Sequence, residues 1–562
     1  MTYVKTTDYI ANFLYSVNVR TVPVFQGGNI MHLIDSIGEH PGLRYICPHH
    51  EQSLAMIVES YARQTGFGVG VVTSGPGLTN IVTGVADAFY DSIPCLFLVG
   101  QVGTYHCKGN RGVRQRGFQE TDSVGLFESI TKLSKRVSSV ESVVSTLNEA
   151  YRIATSGRPG PVVLEIPYDV QIAKIRVESS GKLEAETSVA TSSSQHDLHL
   201  HTDNIITRLL DSERPVVVAG GGVVISKQCN TLRKICADSD LPLVATWPAA
   251  GIMDEDSPTY FGCIGRSGQE CAKSIVDAAD MVLILGSRLN PKAAREDILS
   301  KKKHSISIDI DAHELSEGLV KAELGIRADL SLILPTLSAR LTRQKYRISY
   351  TWKSVCIDLK LHVASVKREL QHRTNDVDPL LFFNQISEWL PHETTVVLDT
   401  GCNQAWAMQG LRQKRGQRFL SAFGHSPMGF ALPAIIGSHF AQQDRYIFAV
   451  IGDGGFQLNI GDLHLIAKLD INVLIILVNN QSLGNTFHPS TKNFEGRGHG
   501  STPEYGYTCP DFKLLTNAFG LRHYIYDGST EPASIFNEVF SYKGPKVVEL
   551  VVDPQRYPSE LW

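Results

Sequence analysis

Short apolar runs alternate with helix-length spacings along most of this chain, and this alternation constrains the fold more than any other feature. Each run is rich in β-branched residues and ends at glycine, proline or a polar residue, which predicts a buried strand of a parallel sheet. The alternation therefore predicts an α/β protein. The predicted strands are VGVVTSG (69–75), PCLFLVG (94–100), PVVLEIP (161–167), PVVVAGGG (215–222), PLVAT (242–246), MVLILGS (281–287), SISIDID (305–311), TTVVLDTG (394–401), IFAVIGDGG (447–455), VLIILVNN (473–480) and KVVELVVD (546–553).

The chain of 562 residues is too long for one hydrophobic core, so we expect three domains. The predicted strands fall into three blocks, at residues 1–178, 203–340 and 375–562. The polar stretch 178–202 is rich in Ser, Thr and charged residues and is predicted to be an interdomain linker. A more basic passage near 340–375 is expected to be less structured. The fold is predicted as three consecutive doubly wound parallel-sheet domains.

Composition excludes several classes of protein. With 53 basic and 57 acidic side chains, the net charge of −4 offers no electrostatic footprint for nucleic acid or an anionic membrane. No window approaches eighteen uninterrupted apolar residues, and the N-terminus lacks a signal-peptide pattern. Ten scattered cysteines without metal spacing indicate reduced thiols rather than disulfides or zinc. We therefore expect a cytoplasmic protein without a nucleic-acid or membrane partner.

Two predicted strands in the third block end in polar residues that suit a metal and a phosphate. The first ends at Asp453, Gly454 and Gly455, and the second ends at Asn480, twenty-seven positions after Asp453. A βαβ unit of this length places the two strand ends side by side. Asp453 and the amide oxygen of Asn480 are then expected to bind one hard cation, while the glycine backbones approach a phosphate. Two ordinary turns at strand ends would explain the same letters equally well.

GDGG followed by NN at this interval resembles the diphosphate motif of thiamine diphosphate enzymes. In that family the Asp, the second Asn and a backbone carbonyl two residues later hold Mg²⁺. The resemblance implies that Asp453, Asn480 and the carbonyl of Ser482 bind the metal, and that Gly454 and Gly455 contact the cofactor.

Two further segments of the third block resemble parts of the same cofactor site. DTGCNQAWAMQ (399–409) resembles the loop that begins the diphosphate cradle, which implies cofactor contacts by Gly401 and Asn403. In SPMGFALPAIIG (426–437), Met428 falls where the family places a bulky apolar residue beneath the cofactor. A methionine at a helix start is otherwise usually core filler.

Motifs of the first block resemble the acetolactate synthase branch of this family. They occur in the family's order, as HEQ (50–52), YAR (61–63), VTSGPGLTN (72–80), DSIP (91–94) and FQETD (118–122). The match implies that Glu51 is the catalytic acid that bonds the cofactor's pyrimidine ring, with Phe118 and Gln119 near the reacting carbons. A buried carboxyl suits this task because desolvation favours its neutral form. By itself, an acidic residue in the first turn of a helix is usually solvated.

The resemblance also implies an assembly and names for the domains. Glu51 lies in the first, pyrimidine-binding domain and the metal residues lie in the third, diphosphate-binding domain. In the family these come from different subunits, which implies a homodimer or homotetramer with active sites at the subunit interface. The central domain of acetolactate synthases holds FAD, and VVVAGGGV, Thr246 and GSRLN (286–290) fall where its contacts would lie, so the resemblance allows FAD.

The chain departs from the acetolactate synthase pattern at several positions. Cys402 and Asn403 replace the usual Gln and His, and Asn485, Thr486 and Pro489 stand where a hydrophobic pair and a Trp line the acceptor site. We expect a Mg²⁺-dependent decarboxylase and carboligase that transfers an acyl carbanion equivalent from a 2-oxo acid, pyruvate, to a carbonyl acceptor. Four alternatives stay open: carboligation onto a keto-sugar in polysaccharide biosynthesis, C–C hydrolysis or lysis, a flavin oxidase and a noncatalytic cofactor-binding homologue.

Overall fold

The protein is described by a computed structural model that covers residues 2–177, 194–370 and 377–559. It is an α/β protein of three domains, and each of the predicted strands forms. The bounds predicted for the domains stay a prediction. Residues 178–193 of the predicted linker and residues 371–376 of the basic passage lie outside the described residues.

The first region contains a four-stranded parallel sheet of order β4-β5-β7-β6 and the parallel pair β2-β3. The first and last strands of the region, β1 and β8, form a separate antiparallel pair. The strands are β1 (Thr2–Lys5), β2 (Thr21–Pro23), β3 (Arg44–Ile46), β4 (Gly68–Val72), β5 (Cys95–Gln101), β6 (Leu133–Arg136), β7 (Val162–Pro167) and β8 (Lys174–Val177). The helices are α1 (Thr6–Ser16), α2 (Met31–Glu39), α3 (Glu51–Thr65), α4 (Pro76–Asn80), α5 (Val82–Tyr90), α6 (Ser123–Phe127), α7 (Val143–Thr155) and α8 (Tyr168–Ile172).

The central region is built on a six-stranded parallel sheet of order β11-β10-β9-β12-β13-β14. The strands are β9 (Pro215–Ala219), β10 (Leu243–Ala245), β11 (Tyr260–Cys263), β12 (Met281–Leu285), β13 (His304–Asp309) and β14 (Leu324–Arg327). The helices are α9 (Gln195–Leu210), α10 (Gly221–Ile225), α11 (Cys229–Ser239), α12 (Glu270–Ala278), α13 (Ala312–Glu317), α14 (Leu330–Gln344) and α15 (Tyr350–Leu370).

The last region also has a six-stranded parallel sheet, of order β16-β15-β17-β18-β20-β19. The strands are β15 (Thr394–Leu398), β16 (Arg418–Leu420), β17 (Tyr446–Gly452), β18 (Val473–Asn479), β19 (Arg522–Tyr526) and β20 (Lys546–Val551). The helices are α16 (Pro379–Ser387), α17 (Cys402–Gly410), α18 (Ala431–Ala441), α19 (Asp453–Leu458), α20 (Asp462–Lys468), α21 (Gly484–Asn493), α22 (Phe512–Ala518) and α23 (Pro532–Ser541).

The chain forms two compact units, and their bounds do not follow the three sheets. One unit takes its described residues from 1–190, 422–445 and 456–471, so it includes helices α18 and α20 beside the first sheet. The other takes them from 191–421, 446–455 and 472–562 and contains both six-stranded sheets. Among the described residues, no helix has the length and apolar character needed to cross a membrane.

The linker prediction is wrong from residue 195 onward, because helix α9 begins there. Ser194 and Asp197 form a capping box, in which the Ser194 hydroxyl accepts from the Asp197 backbone and the Asp197 carboxylate accepts from the Ser194 backbone. Further along the helix, Ile205 and Leu209 are buried in the core. A start signal within a polar stretch thus opens an ordered helix.

The prediction that residues 340–375 are less structured is wrong for residues 340–344 and 350–370, which belong to helices α14 and α15. Trp352 is fully buried, and its indole N–H donates to the carbonyl of Pro215 at 2.9 Å. The Lys360 ammonium donates to the carbonyls of Ser257 and Tyr260, both at 2.9 Å. Lys360 and Trp352 therefore anchor helix α15 to the central domain through backbone carbonyls.

The YAR and DSIP motifs meet in a buried ionic cluster of the first unit. Arg63 pairs with the carboxylates of Glu59 and Asp91. Asp91 also accepts from the backbone N–H of Phe423 at 2.9 Å. Burial raises the pKa of Asp87, which lies beside Glu59. These motifs therefore have a structural explanation of their own, because one guanidinium neutralises carboxylates that the core has desolvated.

Candidate active site

The three predicted metal-binding residues lie together at the carboxyl ends of two neighbouring strands. Strands β17 and β18 pair in parallel with Gly452 opposite Val478, as the spacing of the motifs predicted. The backbone N–H of Asn480 donates to Asp453 Oδ2 at 3.1 Å. One terminal atom of the Asn480 amide lies 3.2 Å from Asp453 Oδ2 and 3.0 Å from the carbonyl oxygen of Ser482. Side chains and backbone of all three residues thus converge on one small volume.

The orientation of the Asn480 amide decides what this volume can hold. With the nitrogen inward, the amide donates to Asp453 and to the Ser482 carbonyl. With the oxygen inward, three oxygen atoms face one another, and a cation or a proton is needed to hold them together. Asp453 is 2% exposed, and burial raises its pKa to about 6. A hard divalent cation fits this set of oxygens, because it would supply the positive partner that the buried carboxylate lacks.

Tyr507 is a functional candidate that the sequence did not reveal. Its hydroxyl donates to Asp453 Oδ1 at 2.8 Å, which orients the carboxylate so that Oδ2 faces Asn480. The Cys509 thiol lies 3.6 Å from the Tyr507 hydroxyl. Tyr507 stands fifty-four residues after Asp453 in a loop, so no local pattern in the sequence connects the two.

The loop after β15 is shaped by contacts between Gly401 and Asn403. The Asn403 amide nitrogen donates to the carbonyl of Asp399 at 2.8 Å and to that of Val450 at 3.4 Å, which joins the ends of β15 and β17. A Cβ at Gly401 would lie 2.2 Å from Asn403 Oδ1, and the φ of Gly401 is 155°. Asn403 therefore ties two strand ends together, and Gly401 must stay glycine to leave room for it.

Gly455 also requires the absence of a side chain. A Cβ there would lie 2.5 Å from Asp399 Oδ1. The first turn of α19 therefore runs directly beside the end of β15. This close approach leaves backbone, rather than side chains, at the predicted phosphate site.

Cys402 and Asn485 form a polar contact beside the metal residues. The Cys402 thiol donates to Asn485 Oδ1 at 3.2 Å. A Cβ at Gly484 would lie 2.8 Å from Cys402 Sγ and 3.4 Å from the Asn480 amide nitrogen. Burial, reinforced by the charge of Asp453, raises the pKa of the Cys402 thiol to about 12. Cys402 is therefore a neutral donor, and the exposed Asn485 and Thr486 make the start of α21 polar.

In the first unit, Glu51 is the first residue of helix α3, where the imidazole of His50 caps the helix by accepting from the Gln52 backbone. Glu51 is 7% exposed, and the Asn80 amide donates to its Oε2 at 2.9 Å. A Cβ at Gly77 would lie 3.6 Å from its Oε1. The predicted acid is therefore buried and held in one orientation. Asn80 was missed as a partner, although it ends the motif VTSGPGLTN.

Gln119 lies close to the glycine-rich loop that follows β4 and carries Gly75 and Gly77. A Cβ at Gly75 would lie 3.0 Å from Gln119 Cβ, and Gln119 has a φ of 64°, which is uncommon for a residue other than glycine. Phe118 is 83% exposed. Gln119 is thus brought into the neighbourhood of Glu51 through the loop that carries Gly77, whereas Phe118 points away from the core.

Met428 is partly buried in the first unit and directly precedes Gly429, whose carbonyl is held by a side-chain hydrogen bond. The carbonyl of Gly429, which has a φ of 84°, accepts from the Asn459 amide at 2.8 Å. The same amide nitrogen lies 3.6 Å from the sulfur of Met56. The turn that carries Met428 is therefore held firmly, as a residue that supports a cofactor requires.

Three family models match the chain in succession. The thiamine pyrophosphate enzyme N-terminal TPP binding domain matches residues 4–126, the central domain matches residues 202–337, and the C-terminal TPP binding domain matches residues 399–550. The first match includes Glu51, and the last includes Asp453 and Asn480.

Similar proteins come from bacteria and archaea and match nearly the whole chain. The acetolactate synthase isozyme 2 large subunit of Escherichia coli is 29% identical over 97% of this chain and 95% of the relative. The acetolactate synthase large subunit of Lactococcus lactis is 30% identical over 98% and 93%. The probable acetolactate synthase large subunit of Methanocaldococcus jannaschii is 30% identical over 98% and 92%.

Proposed function

Because the chain belongs to the acetolactate synthase-like branch of the thiamine pyrophosphate enzymes, and is thus a thiamine diphosphate-dependent carboligase, we propose that Mg²⁺ anchors its cofactor and that pyruvate is its donor. One observation carries the magnesium site: a buried carboxylate, an amide and a backbone carbonyl converge at Asp453, Asn480 and Ser482. Mg²⁺ takes a few protein oxygens together with the phosphates of its ligand. Gly401, Gly454 and Gly455 would accept those phosphates at the backbone.

Bound thiamine diphosphate supplies a nucleophilic carbon and an electron sink for decarboxylation. In this proposal the buried Glu51 carboxyl bonds the pyrimidine ring as the catalytic acid, while Asn80 fixes the carboxyl's orientation. Gln119 donates a hydrogen bond to the substrate, and Phe118 shields the reacting carbons from water. Met428 supports the cofactor from below on the turn that Asn459 holds.

Release of CO₂ from pyruvate tests this function. We expect steady release that requires both thiamine diphosphate and Mg²⁺ and that is lost in Glu51→Gln, because an amide cannot hold the acidic proton. Glu39→Gln is the matched control, since Glu39 is exposed at the end of α2. Unchanged turnover in Glu51→Gln would refute the role of Glu51, and no CO₂ release by the wild-type protein would refute pyruvate as donor.

We further propose a homodimer or homotetramer in which Glu51 of one chain and Asp453 of another hold one cofactor. This assembly rests on the family resemblance, and the 83% exposed ring of Phe118 is free to be covered by a neighbouring chain. Light scattering of the purified protein measures the mass directly. A monomer that turns over pyruvate at full rate would contradict the shared site.

A keto-sugar acceptor is the second candidate, and the polar contact between Cys402 and Asn485 favours it. The exposed Asn485 amide, whose oxygen accepts from the Cys402 thiol, suits hydroxyl groups better than the methyl group of a second pyruvate. Mass spectrometry of products from pyruvate with keto-acid or keto-sugar acceptors separates the two candidates. Acetolactate as sole product would exclude the sugar.

FAD stays outside this proposal, because the glycines after β9 already have a structural reason. A Cβ at Gly220 would lie 2.2 Å from the carbonyl oxygen of Gly286, and one at Gly222 would lie 2.7 Å from Gly286 Cα. The strand end therefore packs on protein backbone. We also propose a reducing compartment, the cytoplasm, which is supported by the absence of disulfide bonds among the described cysteines.

A further inference from the structure

We propose that residues 104–119, here called the cationic loop, bind the phosphate groups of a phosphorylated acceptor, such as a sugar phosphate or a nucleoside diphosphate sugar. The cationic loop follows β5 and ends at Gln119. Its assignment to the acceptor rests on the proposed function, whereas its affinity for phosphate can be measured without turnover.

The cationic loop carries four basic residues and no acidic one. These are Lys108, Arg111, Arg114 and Arg116, of which the three arginines are exposed. Their hydrogen bonds go to backbone carbonyls: Lys108 to Arg114 at 3.4 Å, Arg111 to Lys108 at 3.2 Å and Arg116 to Cys107 at 3.4 Å. Within the described part of the chain, none of the four forms an ion pair with a carboxylate. The three exposed arginines thus have no carboxylate partner among the described residues, whereas Lys108 is attracted by the nearby Glu120 carboxylate.

The conformation of the cationic loop is fixed by Glu120, the residue that directly follows it. The buried Glu120 carboxylate accepts from the backbone N–H of Lys108 at 2.6 Å, of Arg116 at 3.0 Å and of Gly117 at 3.2 Å. The Gln115 side chain donates to the Glu120 carbonyl at 3.0 Å. The Asp169 carboxylate accepts from the backbone N–H of Thr104 at 2.9 Å and from its hydroxyl at 2.6 Å. Both carboxylates therefore bind backbone N–H groups or a hydroxyl of the loop rather than its arginines. A ligand would meet a preformed loop and lose less affinity to ordering it.

The cationic loop lies where parallel sheets place ligands. Strands β4 and β5 are neighbours, and the glycine-rich loop and the cationic loop leave their adjacent carboxyl ends. Gly75 of the former contacts Gln119 of the latter, and Gly77 approaches Glu51. An anion bound by the loop would thus lie on the same side of the sheet as the predicted acid and as Gln119.

Phosphate fits these side chains better than a simple carboxylate. Arginine presents paired N–H donors in a plane that matches two phosphate oxygens. A short 2-oxo acid carries one negative charge, which a single arginine would satisfy. Three arginines and a lysine suit a group of two or more negative charges. An ordinary solvated surface would be expected to intersperse carboxylates among its cations.

Calorimetry on the protein saturated with thiamine diphosphate and Mg²⁺ tests the loop. The probes are ribose 5-phosphate, uridine diphosphate and uncharged ribose. We expect one or both phosphorylated probes to bind, more weakly at high salt, and ribose not to bind. The variant Arg111→Gln/Arg114→Gln should weaken binding by about tenfold or more, while Arg111→Lys/Arg114→Lys should keep part of it.

The matched control is Lys301→Gln/Arg343→Gln, which removes two exposed cations from the central region and should bind like the wild type. Binding of ribose 5-phosphate alone indicates a sugar phosphate, and binding of uridine diphosphate alone indicates a nucleotide sugar. The proposal is overturned if neither binds, if ribose binds as well, or if the Gln variant binds as tightly as the wild type. Should the double variant fail to fold, Arg114→Gln alone serves for the comparison. Absence of CO₂ release from pyruvate would refute only the proposed function, because calorimetry scores binding.

Discussion

Substitution of Tyr507 by Phe removes one hydroxyl that orients the carboxylate of Asp453. The hydroxyl donates to Oδ1 at 2.8 Å and leaves Oδ2 for the cation. A hydrogen bond to a charged group contributes about 1.5–3 kcal/mol, which corresponds to about tenfold to a hundredfold in an equilibrium constant. Partners of metal-binding carboxylates have effects of the same order on metal affinity. We therefore expect the Mg²⁺ dissociation constant of Tyr507→Phe to rise by about 10- to 100-fold.

Two titrations measure this change. Mg²⁺ is added to the protein at saturating thiamine diphosphate, once with calorimetric detection and once with the initial rate of CO₂ release from pyruvate. At saturating Mg²⁺ the rate should largely recover, because Tyr507 acts through Asp453 and not on the substrate. Tyr505→Phe is the control, since that ring contacts His499 instead. A wild-type Mg²⁺ requirement in Tyr507→Phe, or an equal loss in Tyr505→Phe, would refute the reasoning.

Three further predictions concern packing and protonation. Gly455→Ala should lower the free energy of unfolding by about 1–3 kcal/mol and weaken cofactor binding, because the new Cβ would lie 2.5 Å from Asp399 Oδ1. In thermal unfolding, the control Gly461→Ala should be neutral, because a Cβ there would have no neighbour within 4 Å. Trp352→Ala should cost about 3–5 kcal/mol and lower the urea midpoint, and an unchanged midpoint would mean that α15 is not part of the central core. Burial raises the pKa of Asp462 to about 7, although the Ser53 hydroxyl donates to its carboxylate. The folded state therefore binds this proton more tightly than the unfolded state does. The free energy of unfolding accordingly falls as pH rises from about 4 to 7. Asp462→Asn should therefore be more stable by up to about 4 kcal/mol at pH 8 and gain nothing at pH 4, which unfolding at both pH values checks.

The parts of the site that adjoin strand ends could be predicted from sequence. Asp453 and Asn480 meet because a parallel βαβ unit has a fixed geometry, and the apolar runs before them identify both strands. Tyr507 could not be predicted, since a loop of irregular backbone brings it to Asp453 and no periodicity constrains such a loop. The roles of Glu51 and Met428 came from resemblance alone, and these roles stay predictions.

The failures in the fold share a physical cause. Composition does not determine the structure of a segment whose individual contacts decide its fold. The polar stretch before residue 203 contains a capping box at Ser194 and Asp197, and the basic passage after 340 contains the buried Trp352. The whole-chain charge of −4 likewise conceals the cationic loop, because charges average over 562 residues but act within about 10 Å.

The antiparallel pairing of β1 with β8 determines how the first region will open. Thr2 faces Val177 and Lys5 faces Lys174, so the outer ends of both strands lie at the same end of the ladder. Thermal fraying or applied tension at that end therefore breaks the hydrogen-bonded pairs of β1 and β8 one after another, while the sheet of β4 to β7 stays intact. In hydrogen exchange, the amides of these two strands should lose protection well before those of Val69 and Leu98.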